Sequence, residues 1–270
     1  TLIFLAIEDI CRQAIEENII YLELRFSPYH LSNDKFTMKQ VVEAVIEAVN
    51  KMKDKYPLKI GIILCLMRGR EESINNQVIE LANQFRDKIV GLDLAGNESK
   101  YPTKMYLKQL AFIKDLEIPF TIHAGETGNF DNIRDAILTG AKRIGHGIAA
   151  KKSEEIVSLI RERDITLEMC PKCNIQTKAS KNWNDYPFDT FYRKEKLLVT
   201  INTDNRTVSN TSLSQEFELL NNYCSELNLN DLYQLTINAL NASFLNNLEK
   251  EQLKEIIETE YNNFCFEESL

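Results

Sequence analysis

Short apolar runs alternate with helical stretches along most of this chain, and that alternation limits the fold more than any other feature. The runs fall at 20–27, 60–66, 89–95, 120–124, 143–147, 165–170 and 197–204. Between them, apolar residues spaced three and four apart predict helices near 38–54, 73–87, 103–115, 130–140 and 153–163, with a short one near 187–194. The chain opens on a further amphipathic helix, with Leu2, Leu5, Ile10 and Ala14 as its expected apolar stripe. Two or three helices close it, the first with a capping box predicted at Ser212 and Gln215.

Seven strands interleaved with helices call for a parallel sheet, either open and doubly wound or closed as a barrel. The polar residues separate the two. Glu23, Arg25, Asp93, Thr121, His123, Glu168, Thr200, Asn202 and Asp204 lie on the face opposite the Leu, Ile, Val and Phe of their own strands. A doubly wound sheet is covered by helices on both faces and reads apolar on both. A barrel meets helices only outside, and its upper interior can hold a polar site. The expected fold is therefore α/β, a (β/α)8 TIM-type barrel with seven of its eight strands visible in this chain and extra C-terminal helices. No linker or low-complexity segment interrupts it, so residues 1–270 are read as one domain.

A formal charge of −8 argues against nucleic acid and anionic membranes as partners. No apolar run approaches the length of a bilayer span, and no secretory or lipidation pattern is visible. Six cysteines scattered over 270 residues are not the framework of a small secreted fold. A cytoplasmic protein acting on a small molecule is expected, as a monomer or weak homo-oligomer.

The candidate chemistry sits where strands end. His123 closes the 120–124 run and Glu126 follows in the next loop; His146 ends another run and Asp204 a third. His and Asp are zinc ligands of the kind that keep an open coordination position, and a nearby glutamate outside the ligand set can move protons. Of the three histidines, the remaining one, His30, follows Ser27-Pro28-Tyr29 and reads as a structural or solvated loop residue. Cys170-Pro171-Lys172-Cys173 has no second close cysteine pair to complete a zinc ribbon. It also departs from the H-x-E and P-C-x-x-C signature of one class of zinc deaminases, because its proline falls inside the pair. These cysteines are read as binding no metal.

Six stretches in order carry a family resemblance. They are Tyr21-Leu22-Glu23-Leu24-Arg25-Phe26-Ser27-Pro28, Gly91-Leu92-Asp93-Leu94-Ala95-Gly96, His123-Ala124-Gly125-Glu126, Arg143-Ile144-Gly145-His146-Gly147, Cys170-Pro171 with Asn174, and Asn202-Thr203-Asp204. Along nearly its whole length the chain resembles adenosine deaminases of the metal-dependent amidohydrolase superfamily. The resemblance implies zinc-dependent hydrolytic deamination of adenosine and 2′-deoxyadenosine, with one Zn2+ per active site and a purine nucleoside as partner. It implies that His123 and Asp204 are zinc ligands, that Glu126 donates a proton to purine N1, and that His146 orients and stabilises the attacking hydroxide. It also implies that the Gly96 N–H donates to N3 and that residue 205 contacts N7.

Two departures stand out. Asn205-Arg206 replaces the aspartate and proline of many relatives, and an amide NH2 donates to N7 at any pH, whereas a carboxylate must first be protonated. Arg206 is read as a surface ion-pair residue. The family's His-x-His, which supplies two further zinc ligands from the first strand, does not occur. Seven strands, an opening inside a helix without methionine, and two missing ligands together predict an N-terminal segment beyond this chain. The alternatives are deamination of adenine, AMP or an N6-substituted relative, and a metal-free nucleoside-binding pseudoenzyme.

Overall fold

In a computed structural model, which describes residues 2–267, the seven predicted runs form seven strands. These are β1 (Tyr21–Phe26), β2 (Lys59–Met67), β3 (Ile89–Ala95), β4 (Phe120–Ala124), β5 (Arg143–His146), β6 (Thr166–Met169) and β7 (Val199–Ile201). Their hydrogen-bonded order follows the sequence from β1 to β7. A doubly wound sheet reverses its order at a switch point, and this order has no reversal, as the barrel class requires.

Contacts divide the chain into two units. Among the described residues the first is 2–123 with 138–141, and the second is 124–137 with 142–267. In the first unit, β1 pairs with β2 and β2 with β3, all parallel, so that Cys65 lies opposite Asp93. β3 continues to β4, with Asp93 opposite Thr121. The core here is β-branched and aliphatic: Ile62, Ile63, Leu64 and Leu66 of β2 are buried with Leu92 and Leu94 of β3. Against them lies α3 (Met38–Lys55), whose buried Val41, Val45, Val49 and Met52 repeat at helical spacing. Thr37 and Gln40 cap it reciprocally, a capping box that satisfies two orphan N–H groups.

The opening helix, α1 (Leu2–Glu16), turns a different stripe inward from the one expected. Ile7, Cys11 and Ala14 are buried, and Leu2 and Leu5 are exposed. The helix is apolar on more than one side, and packing on α3 selects the Ile7 face. His30 lies on a one-turn helix, α2 (Pro28–Leu31), and not in a loop. Ser27 caps that turn and Pro28 starts it, a serine–proline signal for helix initiation. α4 (Glu72–Gln84) follows β2, and α5 (Leu107–Asp115) follows β3 after a 3-10 turn at Thr103–Tyr106.

In the second unit β5 pairs with β6 and β6 with β7, again parallel. α6 (Asp131–Thr139) follows β4, and α7 (Glu154–Glu162) follows β5. α8 (Pro171–Gln176) follows β6, a π-helical turn at Asp189–Lys194 precedes β7, and α9 (Arg206–Ser209) follows it. The chain closes with α10 (Leu213–Tyr223), α11 (Leu229–Ala242) and α12 (Asn247–Glu267). The α10 cap is one-sided: Ser212 accepts from the Gln215 N–H, but the reciprocal bond of the predicted box is not formed. No described helix is long and apolar enough to cross a membrane.

Candidate active site

Every candidate residue lies at or just beyond the carboxyl end of a strand, the edge where parallel α/β folds carry chemistry. In the first unit the centre is Asp93 on β3, 1% exposed. Its carboxylate meets His123 Nδ1 of β4 at 3.1 Å and accepts from Arg25 of β1 at 3.3 Å. Burial opposes ionisation of Asp93, but the neighbouring His123 and Arg25 prevail and hold its carboxyl well below the usual range. With Nδ1 engaged by Asp93, Nε2 is the remaining ring nitrogen of His123. Arg68, itself buried, braces the same residue by donating to the His123 carbonyl at 2.8 Å.

Gly96 follows β3 at φ +105°, a conformation that disfavours any side chain. A Cβ there would meet the Arg68 backbone N at an ordinary 3.4 Å, so the backbone conformation and not crowding selects glycine. Glycine is thus required by the fold at the position where close approach to a purine was expected.

In the second unit the chain leaves β4 through Gly125, at φ +79°, where a Cβ would lie 2.5 Å from Ile133. This turn aims Glu126, whose Oε2 lies 3.6 Å from Nε2 of buried His146. His146 Nδ1 faces Asn174 Nδ2 of α8 at 3.0 Å. The neighbour of Asn174 in sequence, Cys173, donates its thiol hydrogen to Asp204 at 3.0 Å. Burial, and then that carboxylate, push the Cys173 thiol far above its ordinary range, so it remains a donor. Glu216 of α10 holds the start of α8, accepting from the Lys172 N–H at 2.8 Å and from Thr211 at 2.6 Å, and burial raises its carboxyl. Asn205 caps α9, its side-chain oxygen accepting from the Val208 N–H at 3.0 Å.

Backbone strain marks two of these candidates. Among the described residues, eight other than glycine have positive φ, and six of them directly follow helices. The remaining two are His146 at the end of β5 (φ +66°) and Asp204 beyond β7 (φ +52°). Left-handed conformations of this kind cost on the order of 1–3 kcal/mol each and gather at functional sites.

Residues 2–260 match the adenosine deaminase family model. An adenosine deaminase from Enterococcus faecalis is 39% identical over 254 residues, which cover 94% of this chain and 75% of that protein. The chain belongs to the adenosine deaminase family. Among solved structures, Arabidopsis ADAL complexed with IMP has a TM-score of 0.84 at 26% identity, covering 94% of this chain and 77% of that one. An amidohydrolase from Burkhoderia ambifaria with bound Zn has the same fold, with a TM-score of 0.89 at 16% identity over 97% and 74%.

For this adenosine deaminase family member, sequence reasoning singled out His123, Glu126, His146 and Asp204 but passed over the groups that hold them. Asp93 was visible as a carboxylate on the polar face of a strand and as part of a matching stretch, with no role attached. Asn174 appeared only as part of a matching stretch. Cys173 was weighed for metal binding and read as binding none, and nothing local points to its bond with Asp204.

Proposed function

We propose that this protein is a zinc-dependent adenosine aminohydrolase of purine metabolism, converting adenosine or 2′-deoxyadenosine with water to the inosine product and ammonia. The observation that carries this reading is 39% identity, along 94% of the chain, to a curated adenosine deaminase. Water must add at purine C6 while N1 takes a proton, and the amino group then leaves as ammonia. Glu126 is the proposed proton donor to N1, and His146 orients and stabilises the attacking hydroxide. Gly96 donates its N–H to N3. Asn205 donates to N7 through its NH2, because its oxygen is already engaged as the α9 cap. The scattered cysteines support a reducing, cytoplasmic setting.

Zinc is the proposed cofactor, with His123 and Asp204 among its ligands. The donor types suit it: a histidine whose Nδ1 is held by a carboxylate directs Nε2 to a metal, and a carboxylate oxygen is a second common ligand. Among the described residues no three His, Cys, Asp or Glu side chains gather as a metal-holding group, and the proposal for His123 and Asp204 rests on the family resemblance and on their donor types. When bound, zinc supplies the Lewis acidity that brings water to a pKa near about 7.

Loss of the carboxylate behind His123 should be felt at the metal. Asp93→Asn is expected to keep the fold while lowering zinc affinity, activity or both by about 10–100-fold. Zinc titration beside kcat/KM measures this, and wild-type values for both would remove Asp93 from the site. A deaminase of a related 6-aminopurine is the second reading, favoured by the 26%-identical ADAL structure with its bound IMP. Absorbance assays on adenosine, 2′-deoxyadenosine, adenine and AMP, with zinc present, separate the two. Adenosine is expected to give the highest kcat/KM. A preference for AMP would favour the second reading, and nucleoside binding without turnover of any of them would make the protein a binder.

A further inference from the structure

We infer that Asn174 is a positioning residue that fixes which nitrogen of His146 carries the proton. The Asn174 side chain is fully buried and makes two contacts of opposite kind. Its Oδ1 accepts from the Cys170 N–H at 3.3 Å, and its Nδ2 lies 3.0 Å from His146 Nδ1. The first contact settles the second. A backbone N–H can only donate, so the amide oxygen must face Cys170, and flipping the amide would set NH2 against N–H. The NH2 therefore points at His146, and Nδ1 must accept.

A neutral imidazole that accepts at Nδ1 carries its hydrogen on Nε2. Nε2 is the nitrogen that faces Glu126. At the reacting end His146 thus offers a hydrogen and not a lone pair. It can hold and orient an oxygen, but it cannot take that oxygen's proton without giving up the Asn174 bond. Proton acceptance then falls to another group, for which Glu126 is the nearest candidate.

The tautomer itself is independent of the function proposed above; its catalytic meaning rests on His146 acting in that reaction. The test is the 15N spectrum of histidine-labelled protein, which has only three histidines, with His146→Asn assigning the signal. Wild type should show Nδ1 of His146 as the unprotonated nitrogen and Nε2 as the protonated one. Asn174→Asp retains an acceptor for the Cys170 N–H but turns a carboxylate toward Nδ1. It should move the hydrogen to Nδ1 and lower kcat by on the order of 10²–10⁴-fold, with KM and melting temperature little changed. A merely structural role for Asn174 predicts no change in tautomer. A wild-type spectrum with Nδ1 protonated overturns the inference even if the variant does not fold. An unchanged tautomer or unchanged kcat in a folded variant overturns the positioning role. Failure of wild type to deaminate adenosine would leave the spectral result standing and count against the function alone.

Discussion

Glu126→Gln is expected to lower kcat for adenosine by about 10²–10⁴-fold, the usual worth of a positioned general acid or base. The amide has the shape of the carboxylic acid but cannot deliver a proton to N1. Glu126 is half-buried at the end of a turn set by Gly125, so the fold should tolerate an amide of the same shape. The side chain faces His146 at 3.6 Å, too far for a direct hydrogen bond, so little cohesion is lost when its charge is removed. Loss of turnover with an unaltered melting temperature and unaltered zinc content is the expected result. Near-normal turnover would show that the proton comes from elsewhere.

The largest stability effect should come from a carboxylate outside the proposed chemistry. Glu168 of β6 meets the Arg143 guanidinium of β5 at 2.7 Å, and both side chains are buried. Arg143 also donates to the Ala242 carbonyl at 3.0 Å and lies 3.8 Å from the ring centre of Phe244. Removing one partner of a buried pair strands the other charge in a poorly solvating interior, at about 3–5 kcal/mol. Glu168→Ala should lose that much in urea denaturation at neutral pH. The paired replacement Arg143→Met with Glu168→Leu should recover much of the loss, because neither charge then needs solvation. A single-variant loss below about 1 kcal/mol would mean that water reaches the guanidinium.

Glu168 also shows where sequence reading stopped. Period-two alternation placed Glu168, Asp93, His123 and Asp204 alike on the polar side of their strands, and that pattern correctly separated a barrel from a doubly wound sheet. It could not divide the set by role, because role depends on partners far apart in the chain. Arg143 neutralises Glu168 across one strand pairing. His123 reaches Asp93 across 30 residues, and Cys173 reaches Asp204 across 31. Strand cores were legible because β-branched runs and helix stripes are local signals. Strand ends were less so: the run at 197–204 shortens to Val199–Ile201, and this frees Asp204 to take its left-handed turn. The α1 stripe was misjudged for a related reason, since a helix apolar on several sides is oriented only by what it packs against.

Cys173 and Asn174 are consecutive residues of one short helix, and they serve Asp204 and His146 respectively. Glu216, a residue of α10, grips the first turn of that helix at the Lys172 N–H. A random-mutagenesis screen for lost deamination should therefore return Glu216 among its hits, although that side chain is assigned no contact with purine or metal. Its hits should be epistatic: once α8 is loosened at Glu216, substitutions at Cys173 and Asn174 should add less than they do alone. Directed evolution toward a different 6-aminopurine would find in α10 a way to reset two strand ends together, without replacing any residue that faces the base.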